Sequence, residues 1–187
     1  MRAVYKRGGV NLQLRLATAN DQPVIMEIIN GAIAALKQVG SPQWQNGYPN
    51  STTIAADIKH HVAYVLVKDR TVIGYAALVA GPDPNYRHID GQWITPDAHY
   101  CAIHRVALAS SVRGQGMATP FLKLLVDRAQ QNGYHSVRID THRLNLPMQK
   151  TAVNAGFVQC GFIKIIDEPT DPNRIAYEQL LTPTDNH

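Results

Sequence analysis

Cysteine is scarce in this chain: Cys101 and Cys160 are its two thiols in 187 residues. So few, in apolar surroundings and without metal-ligand spacing, argue against a disulfide framework and for packed, reduced side chains. Long apolar runs are missing as well. No stretch approaches the roughly 20 residues that a membrane-spanning helix needs. The opening MRAVYKRGGVNLQ lacks the apolar segment of a secretory signal, so the expectation is a cytoplasmic protein without a membrane partner. Charge of one sign is not concentrated either. Lys and Arg outnumber Asp and Glu by 18 to 14, for a net charge of +4, but they are scattered, whereas nucleic acid calls for a basic stripe interleaved with aromatics. A small anionic ligand fits this balance, and no nucleic-acid partner is expected. Repeats and low-complexity tracts are absent. No composition break divides the chain, so residues 1–187 read as one domain with a core of about 12–181 and frayed ends, MRAVYKRGG and TPTDNH.

What is present alternates between two periodicities. Leu12 to Leu16 reads as a strand, and Thr18-Ala19-Asn20-Asp21 resembles a capping box with Asp in place of Glu or Gln. Val24, Ile25, Ile28, Ile29, Ala32 and Leu36 then recur at helical spacing up to Gly40-Ser41-Pro42. A shorter helix is predicted over Ser51 to His61. Val62–Val67 and Thr71–Ala80 flank Lys68-Asp69-Arg70 as a hairpin, and a long polar loop runs from Gly81 to about Asp97. Tyr100 to Leu108 is a strand, Met117 to Ala129 a helix ending at Asn132-Gly133, and Ser136 to Thr141 a strand. Leu146 to Ala155 is a helix closed by Gly156, followed by strands over Phe157–Ile166 and Arg174–Leu180. The class is α+β.

The stretch Val112-Arg113-Gly114-Gln115-Gly116-Met117-Ala118-Thr119-Pro120 places two glycines between a strand and a helix. A helix start presents unpaired N–H groups and partial positive charge, so it stabilises an anion, and glycine removes the Cβ atoms that would hold a phosphate away. The alternative is a tight turn with a solvent-facing arginine. Familiar phosphate motifs do not match. The third glycine of a dinucleotide fingerprint is absent, as is the Gly-Lys-Ser/Thr of a P-loop, which disfavours a nucleotide-dependent reductase.

The remaining pattern, Arg113, Gly116 and Ala118 after the strand Ile103–Leu108, with Asn145 and Gly156-Phe157 downstream, resembles the GCN5-related N-acetyltransferases. The order of elements from Leu12 to Leu180 resembles theirs too. The resemblance implies a mostly antiparallel, twisted sheet of about seven strands with splayed central strands, flanked by about four helices. It implies acetyl-CoA as cosubstrate, its pyrophosphate on the backbone from Arg113 through Gly114, Gln115, Gly116, Met117 and Ala118 to Thr119. The pantetheine arm would lie along Val106, Ala107 and Leu108, with Asn145, Met148 and Lys150 near the cofactor. Asn145 reads equally as a helix N-cap. Members of the family are often dimers, which makes a homodimer a further expectation.

Transfer of acetyl to an amine requires a neutral amine, an aligned thioester, a stabilised oxyanion and a proton for the thiolate. The tyrosine that the family often carries four residues before the helix-closing glycine is Ala152 here, so acid catalysis must come from elsewhere. His104 precedes Val106 by two residues on one strand, which predicts the same face and makes it the first candidate base. His142 could reach the same cleft, and Tyr100 could donate a proton; Asp140 joins Trp44 and Tyr48 as an acceptor-side residue. Each has an ordinary alternative: a hydrogen-bonded core histidine, an ion-pair partner, or packing. The acceptor is expected to be a small-molecule or peptide amine, recognised by the segment Trp44–Asn50 and by the loop carrying Tyr86 and Trp93, with Trp93 as an anchor. No metal is expected, since His60-His61 reads as a helix end and His99 faces away from His104. The competing reading is a CoA-binding sensor or interaction module with reduced catalysis.

Overall fold

The computed structural model describes residues 3–7, 10–96 and 99–182. One sheet of nine strands runs through the described residues in the order β1-β2-β3-β4-β6-β7-β9-β8-β5. Its strands are β1 (Ala3–Arg7), β2 (Val10–Leu16), β3 (Ala63–Lys68), β4 (Thr71–Ala80), β5 (Asp90–Gly91), β6 (Tyr100–Leu108), β7 (Ser136–Thr141), β8 (Val158–Lys164) and β9 (Asn173–Leu180). Four α-helices flank it: α1 (Gln22–Gln38), α2 (Ser51–Lys59), α3 (Ala118–Gln131) and α4 (Leu146–Ala155). Every pairing is antiparallel except that of β6 with β7.

Two strands exceed the expected seven. The two-residue β5 is too short to show alternation. β1 occupies part of the N-terminal end read as frayed: Ala3–Arg7 pairs along its length with Val10–Leu14 of β2. Pairing of a polar edge strand depends on its partner, not on its own sequence. At the other end, residues 183–187 of the expected frayed tail lie outside the described residues.

Local chemistry sets the boundaries elsewhere. The Thr18 backbone N–H and hydroxyl both donate to Asp21 Oδ2, at 2.7 and 2.9 Å, at the entrance to α1. Asp69 and Arg70 both adopt positive φ in the two-residue turn between β3 and β4, the geometry whose twist suits a hairpin. The predicted apolar stripe of α1 is buried at Ile25, Ile28, Ile29 and Leu36. Ile25, Ile28 and Ile29 pack with Val65, Tyr75 and Ala107 on one face of the sheet. Phe121, Leu122, Leu124 and Leu125 of α3 pack with Leu14, Leu66 and Ile103 on the other. Cys101 is fully buried in this second core, and burial pushes its thiol up to about 12, so it is an inert packing residue.

Strand β6 departs from regular geometry in two places. Its parallel ladder to β7 joins Tyr100–Ala102 to Ser136–Arg138 only, and beyond Ala102 the two strands separate. A β-bulge also interrupts its pairing with β4. Ala77 faces His104 and Tyr75 faces Ala107, so Arg105 and Val106 together oppose Ala76, and Arg105 takes a φ of 57°.

Candidate active site

The separation of β6 from β7 opens a cleft of about 1030 Å³. At one end lie Arg113, Gly114 and Ala118, and in the middle Val106, Leu108, Asn145 and Met148. At the other end are His104, Asp83, Asp140, Tyr48 and Trp44.

The first end is built by backbone. Gly114 and Gly116 have φ of 74° and 72°, the left-handed region that glycine enters without strain. A Cβ at either position would meet no atom of the chain within 4 Å, so the backbone here lies open to a ligand. Pro120 stands in the first turn of α3, where a missing N–H costs nothing, and the N–H groups of Ala118 and Thr119 precede the first intrahelical bond. Such free N–H groups at a helix start suit an anion; the Arg113 guanidinium lies against α1, where a Cβ on Gly31 would come within 3.3 Å of its Nη2. Asn145 caps α4, its Oδ1 accepting from Met148 N–H at 3.3 Å, and it lines the cleft as well, so the two roles read from the sequence are compatible.

The other end is built by side chains from distant elements. His104 Nε2 lies 2.9 Å from Asp83 Oδ2, with both side chains largely shielded from solvent. Tyr86 donates its hydroxyl to Asp140 Oδ1 at 2.8 Å, and its ring lies 5.9 Å from that of His104. Burial pushes the Asp140 carboxyl up, against the opposing pull of the nearby His104 and the Tyr86 hydrogen bond. Beside this cluster, Arg105 donates from Nε and Nη2 to the two oxygens of Asp57, both at 2.8 Å, and from Nη1 to the Tyr48 hydroxyl. Tyr75 donates its hydroxyl to Asp57 as well.

A profile of the acetyltransferase (GNAT) family matches residues 33–157. The chain belongs to that family. Among solved structures it is similar to a GNAT family acetyltransferase from Streptococcus agalactiae 2603, with 33% identity over 96% of this chain and 99% of the other, at a TM-score of 0.84. It shares its fold with an acetyltransferase of Salmonella typhimurium solved with acetyl-CoA (17% identity, 93% and 96% of the two chains, TM-score 0.66). The same fold is found in a phosphinothricin acetyltransferase of Sinorhizobium meliloti in complex with acetyl-CoA (19% identity, 94% of each chain, TM-score 0.65). No curated protein sequence matches the chain.

In this GNAT chain the residues expected from sequence divide by position. Arg113, Gly114, Ala118, Val106, Ala107, Leu108, Asn145 and Met148 line the cleft, whereas Gln115, Gly116, Met117 and Thr119 continue the turn at its edge and Lys150 is exposed on α4. Trp44, Tyr48, Asp140 and His104 line it too. Tyr100 does not reach the cleft: its ring is buried under the Arg138 guanidinium, 3.8 Å from the ring centre, and its hydroxyl accepts from Asp83 N–H. Nor does His142, which is fully buried, with Nδ1 3.2 Å from Ser41 Oγ and Nε2 3.0 Å from Asp171 Oδ2. Both are corrections, because strand-end position alone does not reveal which way a loop folds back over a side chain. Ala152 is 1% exposed within the core.

The inference that His104 and Val106 share a face is also corrected. Val106 packs toward α3 with the core on that side, while His104 and Arg105 turn to the opposite side, toward Asp83 and Asp57. The extra residue of the bulge breaks the period of two. Trp93 is an anchor, donating from Nε1 to the Tyr86 carbonyl and lying 4.1 Å from the Arg138 guanidinium. Asp83, Asp57 and Arg105 were missed. Asp83 sits in GPDPN, a stretch whose composition signals only a turn.

Among the described residues no group of three His, Cys, Asp or Glu side chains could hold a metal, and no helix is long and apolar enough to cross a membrane.

Proposed function

We propose that the chain is an acetyl-CoA-dependent N-acetyltransferase that moves the acetyl group from the thioester to a primary amine of a small molecule or peptide by direct attack. One observation carries the reading: a single cleft joins a glycine-flanked helix start with free N–H groups to a half-buried imidazole. The cosubstrate's pyrophosphate rests on the amides from Arg113 to Thr119, and its pantetheine arm follows Val106 to Leu108. There β6 has lost its β7 partner, so backbone groups can serve a ligand. Asn145 and Met148 line the same path.

His104 takes a proton from the incoming ammonium, and the neutral amine attacks the thioester carbonyl. A C–N bond forms, the oxyanion is stabilised by a backbone N–H near Val106, and the C–S bond then breaks. The proton lost by the new amide nitrogen reaches the departing thiolate through solvent in the cleft, and the proton on His104 returns to bulk water. Trp44, Tyr48 and Asp140 border the acceptor.

Free-thiol release is the test, run with acetyl-CoA and a panel of simple amines, polyamines, aminoglycosides and peptide N-termini. The reading expects release of CoA only when an amine is added. Tight acetyl-CoA binding with no transfer across the panel would overturn it in favour of a CoA-binding module.

A further inference from the structure

The imidazole of His104 offers a base only if the nitrogen facing the acceptor is bare, and a neutral histidine has two tautomers to choose from. The structure decides between them at Nε2. That nitrogen lies 2.9 Å from Asp83 Oδ2, while no group among the described residues bonds Nδ1. Asp83 can only accept if it is charged. Burial works to raise its carboxyl, but the hydrogen bond to His104, with the bonds from Asn85, outweighs burial and holds it below the ordinary carboxylate range.

Asp83 is itself held from several sides. Its N–H donates to the Tyr100 hydroxyl at 2.8 Å, and its Oδ1 accepts from the backbone N–H and the side-chain amide of Asn85 at 2.8 and 3.1 Å. Tyr100 is fixed in turn, since the Arg138 guanidinium lies between its ring and that of Trp93. The other polar groups around His104 do not compete for Nε2. Tyr86 donates its hydroxyl to Asp140, Arg105 is bonded to Asp57 and Tyr48, and Arg174 lies against Glu168 and the Asp171 carbonyl.

Resting on the acetyl-transfer reading for its purpose, we propose that Asp83 is the positioning residue of this site: it accepts the Nε2–H of His104, fixes the ring, and leaves Nδ1 bare to take the acceptor's proton. Asp83 lines the cleft beside His104, and in this role it acts through the imidazole. When Nδ1 takes the proton of R–NH3+, the imidazolium stays bonded to the Asp83 carboxylate, and the proton leaves from Nδ1 to water after acetyl transfer. Carboxylates that orient a catalytic imidazole work in this manner in other enzymes.

The decisive experiment needs no acceptor. Nitrogen-15 chemical shifts of the His104 ring in the intact protein, assigned by their loss in His104→Gln, report which nitrogen carries the proton. The expected neutral form is Nε2–H. Asp83→Asn keeps the Oδ1 that holds the Asn85 turn, so the loop still folds, but it can place an NH2 donor against Nε2. In that variant the population shifts toward the Nδ1–H form. With the amine giving the fastest thiol release, Asp83→Asn loses turnover by about 100-fold or more, the range of a displaced general base. The double variant Asp83→Asn/His104→Ala is then no slower than His104→Ala alone. A wild-type ring in the Nδ1–H form, an unshifted tautomer in Asp83→Asn, or additive losses in the double variant would each overturn the assignment. Failure of every amine to release thiol, with the tautomers as described, strikes the acetyl-transfer reading instead.

Discussion

The two ends of the cleft are made of different materials. The end near α3 is main chain: a strand, two left-handed glycines and a helix start within one short segment. The end near His104 is side chain, brought together from four separated places: Asp83 from a loop, His104 from β6, Asp140 from β7 and Tyr48 from the α1–α2 connection. A backbone site can be rebuilt with many side chains and suits a ligand shared across a family. A side-chain site changes with each substitution and suits an acceptor that differs from member to member.

The sharpest way to separate the two ends is His104→Ala. Turnover on a true acceptor should fall by ~100- to 10,000-fold, the contribution of a positioned base, while calorimetry finds acetyl-CoA affinity within about twofold of wild type. Equal losses in both quantities would mean that the two ends are not independent. Unchanged turnover would remove His104 from the chemistry.

Next in size is Glu178→Ala. Glu178 has no exposed surface and accepts from Ile94 N–H, Thr95 N–H, Ser136 Oγ and Arg138 Nε, at 2.6 to 3.2 Å. Its loss strands the Arg138 charge and frees the loop that carries Asp83, so urea unfolding should show a destabilisation of about 3–5 kcal/mol. At temperatures where the variant is still folded, the acceptor end should suffer more than acetyl-CoA binding.

The opposite selectivity is expected from Gly116→Ala. A side chain at a φ of 72° costs roughly 1–2 kcal/mol. Acetyl-CoA affinity should weaken by about tenfold, with the His104 tautomer unchanged. An unaltered affinity would show that the turn carries no cosubstrate contact.

A control away from both ends has the smallest effect. Arg15 donates to both oxygens of Asp21 at 2.8 Å, and that hydrogen bond, against a smaller cost of burial, lowers the Asp21 carboxyl to about 2. A carboxyl lowered by folding adds stability that is fully present above its unfolded value of about 4 and is lost as pH falls toward 2. Because Arg15 is partly exposed, the contribution is about 1 kcal/mol after screening. Asp21→Asn should therefore be less stable than wild type at pH 6, and the urea midpoints of the two should converge near pH 2.

Legibility in the sequence followed the same division. The glycine turn, β6, β7 and α4 lie where period and punctuation placed them, because hydrophobic spacing, Asn145 as a cap and glycine at positive φ are local causes. The base candidate was legible as a histidine on β6, but its orientation was not. Counting by two from Val106 put His104 on the wrong face, since nothing in IHRVAL announces that Arg105 will enter a bulge. Tyr100 and His142 were attractive for their side chains and their strand-end positions, yet Arg138, Ser41 and Asp171 cover them from elsewhere in the chain. Asp83 was invisible for the converse reason: a turn aspartate looks ordinary until the loop lays it against an imidazole.

Residues close along the chain were enough to specify the order of elements, the two apolar faces of the sheet and the glycine turn that opens α3. The separation of β6 from β7, the bulge at Arg105 and the pairing of Asp83 with His104 across 21 residues emerged only on folding. Those depend on which strands run out of partners and on where a long loop is tied down. Such long-range contacts leave no period in the sequence, because their partners are set by packing and not by spacing.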